Sequence, residues 1–218
     1  MSSSVLPESI GVNRVLVIGT GAIAVCHLPS FVALLRQRYQ AKVTVCLTRS
    51  ARDLVSPTAL AALTGRPVIP PEWSERTGPL HVEWARWAEA VVVWPATLNF
   101  LAACAHGLGD DVASSIVLST SAPVFFAPSV ASGAVESGPF RRAVRLLESD
   151  GKRVVGPVVG YSVADWQLSK GGCASPETVM HELASLTRQS VGGRVVPATP
   201  PTVKENNEHS DVSSFAAE

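Results

Sequence analysis

The stretch HVEWARWAEAVVVWPATLNFLAACAHGLGDD, residues 81–111, decides how the rest of the chain is read. It opens on His81 and a short helical pattern. It passes through Ala90–Trp94, an apolar run without alternation, then through the turn Pro95-Ala96-Thr97-Leu98-Asn99, and ends in a second helical pattern. An unbroken apolar run bounded by turn residues is the signature of a parallel strand covered on both faces. Ligands of open α/β sheets bind beyond the carboxyl ends of such strands. The Pro95–Asn99 turn therefore predicts a site, with a hydroxyl, an amide and the free N–H groups of a starting helix to meet an anion or a polar ring edge. His81, one helix upstream, is the candidate acid/base. The plainer alternative is that it caps its helix.

Working outward, Arg14–Ile18 predicts a buried strand, followed by Gly19-Thr20-Gly21-Ala22-Ile23-Ala24 and a helix to about Gln40, kinked at Pro29. The glycine loop fits the phosphate-binding pattern between a strand and a helix. Lys42–Leu47 predicts the second strand. It ends in Thr48-Arg49-Ser50 and lacks the acidic residue that grips a dinucleotide ribose, so a mononucleotide is favoured over NAD. An ordinary strand–helix turn without ligand is the alternative. Arg52–Leu63 predicts a helix, Val68–Ile69 a short strand, and Trp84 and Trp87 a packing pair. Ser115–Ser119 reads as a further buried strand ending in Thr120-Ser121-Ala122-Pro123. Pro139–Ser149 reads as an amphipathic helix with Arg141, Arg142, Arg145 and Glu148 outside, and Arg153–Val155 as the last strand. Residues 124–138 carry no clear pattern. Residues 156–175, glycine-rich with Tyr161 and Trp166, predict a mobile flap over the site. Pro176–Gln189 predicts the final helix.

Strands alternating with helices predict a single α/β domain over residues 13–196. It is a doubly wound, Rossmann- or flavodoxin-like parallel sheet with helices on both faces. Residues 1–12 are expected to be loose and 197–218, Pro-rich then polar, to be disordered. The chain has 218 residues, 46% of them apolar, and a formal charge of zero. No global field favours nucleic acid or an anionic membrane. No stretch approaches the ~18–20 apolar residues of a membrane span. The amino terminus lacks the charged and apolar regions of a secretory signal. The four cysteines form no CxxC pair, and Cys26, Cys46 and Cys104 sit in apolar runs as expected of small core residues. A reduced, cytoplasmic protein without a metal site is expected.

These residues resemble the homo-oligomeric flavin-containing cysteine decarboxylases, which include lanthipeptide-type peptidyl-cysteine decarboxylases and phosphopantothenoylcysteine decarboxylase. The likeness rests on Gly19–Ala24 with Pro29; on Thr48–Ser50 with Leu54-Val55-Ser56-Pro57 and Ala62-Leu63-Thr64-Gly65; on His81 with Trp87-Ala88; and on Pro95-Ala96-Thr97 with Asn99, Gly107 and Asp110. It spans about residues 14–190. The resemblance implies FMN as cofactor, with FAD as the alternative. It places Gly19, Thr20, Gly21, Ala22, Thr48 and Ser50 at the phosphate and ribityl chain, and Pro95, Ala96, Thr97 and Asn99 at the ring edge or a neighbouring subunit, with Ser119 also among the cofactor-binding residues. It makes His81 the catalytic base and implies a trimer or dodecamer with sites between subunits. The family's Pro-Ala-Met-Asn run has no counterpart after Ser115–Leu118, so Thr120, Ser121 and the flap residues Tyr161 and Trp166 are the substrate-binding candidates. Phosphopantothenoylcysteine decarboxylases carry a flap cysteine in an Ala-Cys-Gly run. Here Val158-Val159-Gly160 has none, and Cys173 is a distant substitute. The implied activity is oxidative decarboxylation of a C-terminal peptide cysteine to an aminoenethiol, on the way to an aminovinyl-cysteine ring in a ribosomally made peptide. The alternatives are phosphopantothenoylcysteine decarboxylase or a non-catalytic flavin-binding regulator.

Overall fold

The computed structural model describes residues 6–73 and 79–189. In chain order these form β1 (Arg14–Gly19), a short 3-10 turn (Ile23–His27), α1 (Leu28–Tyr39), β2 (Lys42–Leu47), α2 (Arg49–Arg52), α3 (Pro57–Thr64) and α4 (Leu80–Trp87). There follow β3 (Ala90–Ala96), α5 (Leu98–Ala105), α6 (Val112–Ser119), β4 (Val124–Pro128), α7 (Ser132–Val135) and α8 (Gly138–Ser149). The chain continues through β5 (Arg153–Val154), β6 (Val158–Tyr161), β7 (Leu168–Gly172) and α9 (Pro176–Gln189). The first five strands form one parallel sheet in the order β2-β1-β3-β4-β5, and β6 and β7 form a separate antiparallel hairpin. This is the expected doubly wound α/β fold.

Alternation along β1 shows why both faces are covered. Val15 and Val17 point into one core with Phe31, Leu35, Leu60, Met180 and Leu183, from α1, α3 and α9. Leu16 and Ile18 point into the other with Trp84, Trp87, Leu101, Ile116, Phe140 and Leu147, from α4, α5, α6 and α8. Neither face of the strand can carry polar residues, hence its unbroken apolar run. Trp84 and Trp87 meet edge to face at 5.3 Å, so they pack as expected.

Four expectations change. Pro29 starts α1 rather than kinking it, because the preceding residues form the 3-10 turn and proline's missing N–H costs nothing in a first turn. The helix expected over Arg52–Leu63 is two helices, divided where Ser56 accepts from Ala59 N (3.3 Å) and Pro57 opens α3. Cys26 lies exposed in the 3-10 turn, whereas Cys46 and Cys104 are buried. Ser115–Ser119 is not a strand. Asp111 accepts from Ser114 N at 2.8 Å in a capping box and starts α6, whose Val112, Ala113, Ile116 and Val117 are buried at helical spacing. The fourth strand is Val124–Pro128, pairing Val91↔Val124, Val92↔Phe125 and Val93↔Phe126.

Residues 156–175 hold the β6–β7 hairpin instead of irregular flap. Val130 N donates to Gly171 O at 2.9 Å, fixing the hairpin to the turn after β4. Gly171 has φ +115° there, and a Cβ on it would meet Val130 O at 2.2 Å. Of the amino-terminal segment expected to be loose, Ile10 packs into the core with 2% exposure. The expected disordered tail, residues 197–218, lies outside the described residues. No described helix is long and apolar enough to cross a membrane.

Candidate functional site

The strand order reverses direction between β1 and β3, and a crevice opens at the carboxyl ends of strands flanking such a switch point. Three turns meet there: Gly19–Ala22 after β1, Thr48–Ser50 after β2 and Pro95–Thr97 at the end of β3. Thr48 N donates to Gly19 O at 3.0 Å. A Cβ on Gly21 would sit 2.5 Å from Ser50 Cβ, so only glycine allows these two turns to touch.

Thr20 is the brace. Its hydroxyl donates to Pro95 O at 2.7 Å and accepts from Thr97 N at 2.9 Å, with 1% of the residue exposed. The arrangement follows from Pro95. Proline has no N–H to give the ladder, and the β3–β4 register shifts between Val93 and Ala96. The Pro95 carbonyl is taken up by Thr20 instead of a neighbouring strand. The Thr20 side chain is therefore spent inside the protein, and what this residue can offer a ligand is backbone.

A cavity of about 360 Å³ opens beside these turns. Its walls are Gly21, Ala22, Ile23 and Thr97 on one side, Ser129–Ser132 after β4, and hairpin residues Gly160–Ala164 and Ser169–Gly172. Of the expected site residues, Gly21, Ala22, Thr97 and Tyr161 line it. Gly19, Thr20, Thr48 and Ser50 build or adjoin its floor. Pro95 and Ala96 are buried strand residues, and Asn99 is exposed on the first turn of α5. Thr97 caps α5, its Oγ1 accepting from Phe100 N at 3.3 Å, which leaves its O–H proton free to donate. Thr48 precedes α2 without a side-chain capping bond, leaving that hydroxyl available to a ligand.

Ser119, Thr120 and Ser121 are not part of this site. They follow α6 and precede β4, at the amino edge of the sheet, where Thr120 Oγ1 donates to Ala85 O at 3.0 Å. The misplaced strand carried them to the wrong end. The turn that follows the fourth strand is Pro128-Ser129-Val130-Ala131, and on the family pattern of Pro-Ala-Met-Asn it keeps the proline and puts Ala131 in the asparagine's place. Ser129 and Lys170 are among the lining residues that sequence reasoning missed. The capping residues Asp111 and Ser114, read as a helix start, would have moved the strand to Val124–Pro128 and exposed the first of them.

His81 lies in the first turn of α4, its ring edge to face with Trp73 at 4.9 Å. Its Nδ1 is shielded from solvent and has no hydrogen-bond partner among the described residues. The residue before Trp73, Glu72, pairs with Arg49 (3.2 Å) and Arg52 (3.8 Å) beside the Thr48–Ser50 turn. His81 is not among the residues lining the cavity of its own chain. Trp166 is likewise off the lining and 72% exposed. Cys173 is half-buried, its Sγ donating to Ala127 O at 3.6 Å, and burial pushes its thiol up to about 12. The same cause pushes Cys104 to about 12 and raises Cys46 further.

A family model described as Flavoprotein matches residues 3–188. The chain belongs to the Flavoprotein family. Among curated proteins it is 30% identical over 174 residues to the coenzyme A biosynthesis bifunctional protein CoaBC of Haemophilus influenzae, covering 78% of this chain and 42% of that one. It is 32% identical over 165 residues to CoaBC of Escherichia coli K12, covering 74% and 40%. The chain thus spans about two fifths of the length of these relatives. Among solved structures, the FMN-dependent cysteine decarboxylase SpaF superposes with a TM-score of 0.70 at 28% identity, covering 82% of this chain and 99% of SpaF. The residues at the switch point fit a flavin mononucleotide. A turn stripped of its Cβ at Gly21, the available hydroxyl of Thr48 and the exposed Ser50 form a neutral donor set of the kind a phosphate accepts from. Thr97 stands across the crevice from them and lines the cavity.

Proposed function

We propose that this flavoprotein binds FMN and oxidatively decarboxylates a C-terminal peptide cysteine to an aminoenethiol, as a step toward an aminovinyl-cysteine ring. The observation that carries the peptide reading is the state of Cys173. It directly follows β7 of the hairpin, its Sγ is tied to Ala127 O at 3.6 Å, and burial raises its thiol. A thiol acts as a nucleophile or reductant through its thiolate. Without a reactive thiol on the hairpin, the reaction stops at the enethiol instead of being carried back to a saturated amine. The curated relatives favour a second reading, phosphopantothenoylcysteine decarboxylase, which runs the same first steps on a metabolite.

Loss of CO₂ from a free cysteine would leave an unstabilised carbanion. FMN, when bound, supplies the two-electron oxidation at Cβ that makes the α-carbon able to release CO₂. The protein holds and orients. Gly19–Ala22, Thr48 and Ser50 hold the phosphate end, Thr97 and Asn99 meet the ring edge, and Tyr161 and the hairpin close over the substrate and exclude water. His81 takes the thiol proton, since the thiolate is the electron-rich form that gives up hydride. Because His81 is absent from its own cavity lining, a homo-oligomer with its site between subunits, a trimer or dodecamer, is the arrangement that gives it this role.

The test is mass spectrometry of C-terminal-cysteine peptides and of phosphopantothenoylcysteine, each incubated with the purified holoprotein. Loss of about 46 Da, CO₂ plus two hydrogens, from the peptides is the expected result. Loss from the metabolite alone would select the second reading. His81→Ala should abolish the mass change and keep the flavin's absorbance. Full activity in that variant would remove His81 from the mechanism.

A further inference from the structure

The turn Pro128–Ala131 offers no carboxamide, yet any C-terminal cysteine brings a carboxylate into the cavity. Among the residues lining that cavity, Lys170 alone carries a full charge. Lys170 sits on β7, paired with Val159 across the hairpin. Its ammonium pairs with Glu136 at 3.3 Å, and Glu136 also reaches Arg141 at 3.4 Å. Lys170 and Glu136 are 69% and 65% exposed, so the pair is screened by solvent and contributes little to stability. Glu136 has a second cation to keep when Lys170 leaves. The ammonium is a compact charge on a four-carbon stem, able to swing from one carboxylate to another without moving the backbone. Ser129 and Ser132 line the same cavity and add hydroxyl donors.

We infer that Lys170 is the residue that recognises the substrate's carboxylate, exchanging its ion pair with Glu136 for one with the C-terminal carboxylate in the cavity. The inference rests on the cysteine-decarboxylase reading and names a specificity-determining residue for it. The carboxylate is intact while Cβ is oxidised, so the ammonium would hold the ground state and the transition state of that step alike; CO₂ then leaves as a neutral molecule and its bonding pair stays on the α-carbon. With the oxidation as the slow step, removing the ammonium should raise KM and leave kcat unchanged. Glu136→Gln, by freeing the ammonium, should lower KM.

The test separates binding from chemistry. The FMN-loaded protein is titrated calorimetrically with a hexapeptide ending in serine, which cannot react, once as the free acid and once as the C-terminal amide. The expected result is a preference for the acid of about tenfold, in line with a charge-assisted hydrogen bond. It should collapse to near unity in Lys170→Met, which keeps most of the stem, and persist in Lys170→Arg. Equal affinities in the native protein, binding of neither peptide, or an undiminished preference in Lys170→Met would each overturn the assignment. An acid preference that depends on Lys170, in a protein that decarboxylates no cysteine peptide, would leave this assignment standing and sink the proposed reaction.

Discussion

Replacing Thr20 by valine tests the construction of the site most directly. Valine keeps the shape and removes one hydroxyl, which now makes two bonds: donation to Pro95 O and acceptance from Thr97 N. Both partners lose this cross-turn connection, and Pro95 O is left in a buried environment. A net hydrogen bond is worth about 1 kcal/mol, and a buried polar group left unpaired costs about 1–3 kcal/mol. The two together predict a loss of about 2–4 kcal/mol. In a domain of this size each kcal/mol lowers Tm by roughly 2–4 °C, giving a fall of roughly 5–15 °C. The assay is thermal unfolding of the flavin-free protein followed by circular dichroism, since bound ligand would mask part of the difference. Thr20→Ser, which keeps the hydroxyl, should melt within a few degrees of the native protein. The flavin affinity of Thr20→Val, measured by fluorescence quenching, should fall as well, because the glycine turn and the Pro-Ala-Thr turn are no longer held in register. A valine variant melting within about 1 °C of the native protein would refute the claim that this hydroxyl holds the two turns together.

Two further outcomes follow from the same structure. Gly171→Ala places a Cβ 2.2 Å from Val130 O at φ +115°, so the contact between the hairpin and the β4 turn should break. The strain is worth about 1–3 kcal/mol, so amide hydrogen exchange over residues 158–172 should accelerate about tenfold or more, with the main sheet unchanged. Alkaline pH should destabilise the fold through its buried thiols. Cys104 and Cys173 are raised from an ordinary 9.0 to about 12, so between those values the unfolded chain binds fewer protons than the folded one. Stability is full below pH 9 and falls as pH rises toward 12. Denaturant midpoints should show this decline, and Cys104→Ala and Cys173→Ala should flatten it.

The sequence by itself determined the elements whose signals are local. Ala90–Trp94 and Val15–Ile18 are apolar at every position, which two-sided burial requires, and each runs into a turn rich in small or turn-forming residues. The amphipathic helix of Pro139–Ser149 and the switch-point crevice were legible for the same reason. Only the tertiary structure decided among segments whose signals are equivalent. Ser115–Ser119 and Val124–Pro128 are both short apolar runs, long enough for a strand and too short to show helical period. What separates them is the slot beside β3. Val124–Phe126 fills it in register with Val91–Val93, and the run before it is left to a capped helix. That single choice moved the turn after the fourth strand from Thr120 and Ser121 to Ser129–Ser132, which line the cavity. Lys170 became visible the same way, since nothing in a glycine-rich segment says which of its residues a hairpin turns toward a cavity more than thirty residues upstream. Local backbone preference fixes what a segment can be, and packing against distant strands fixes which end of the sheet its side chains reach.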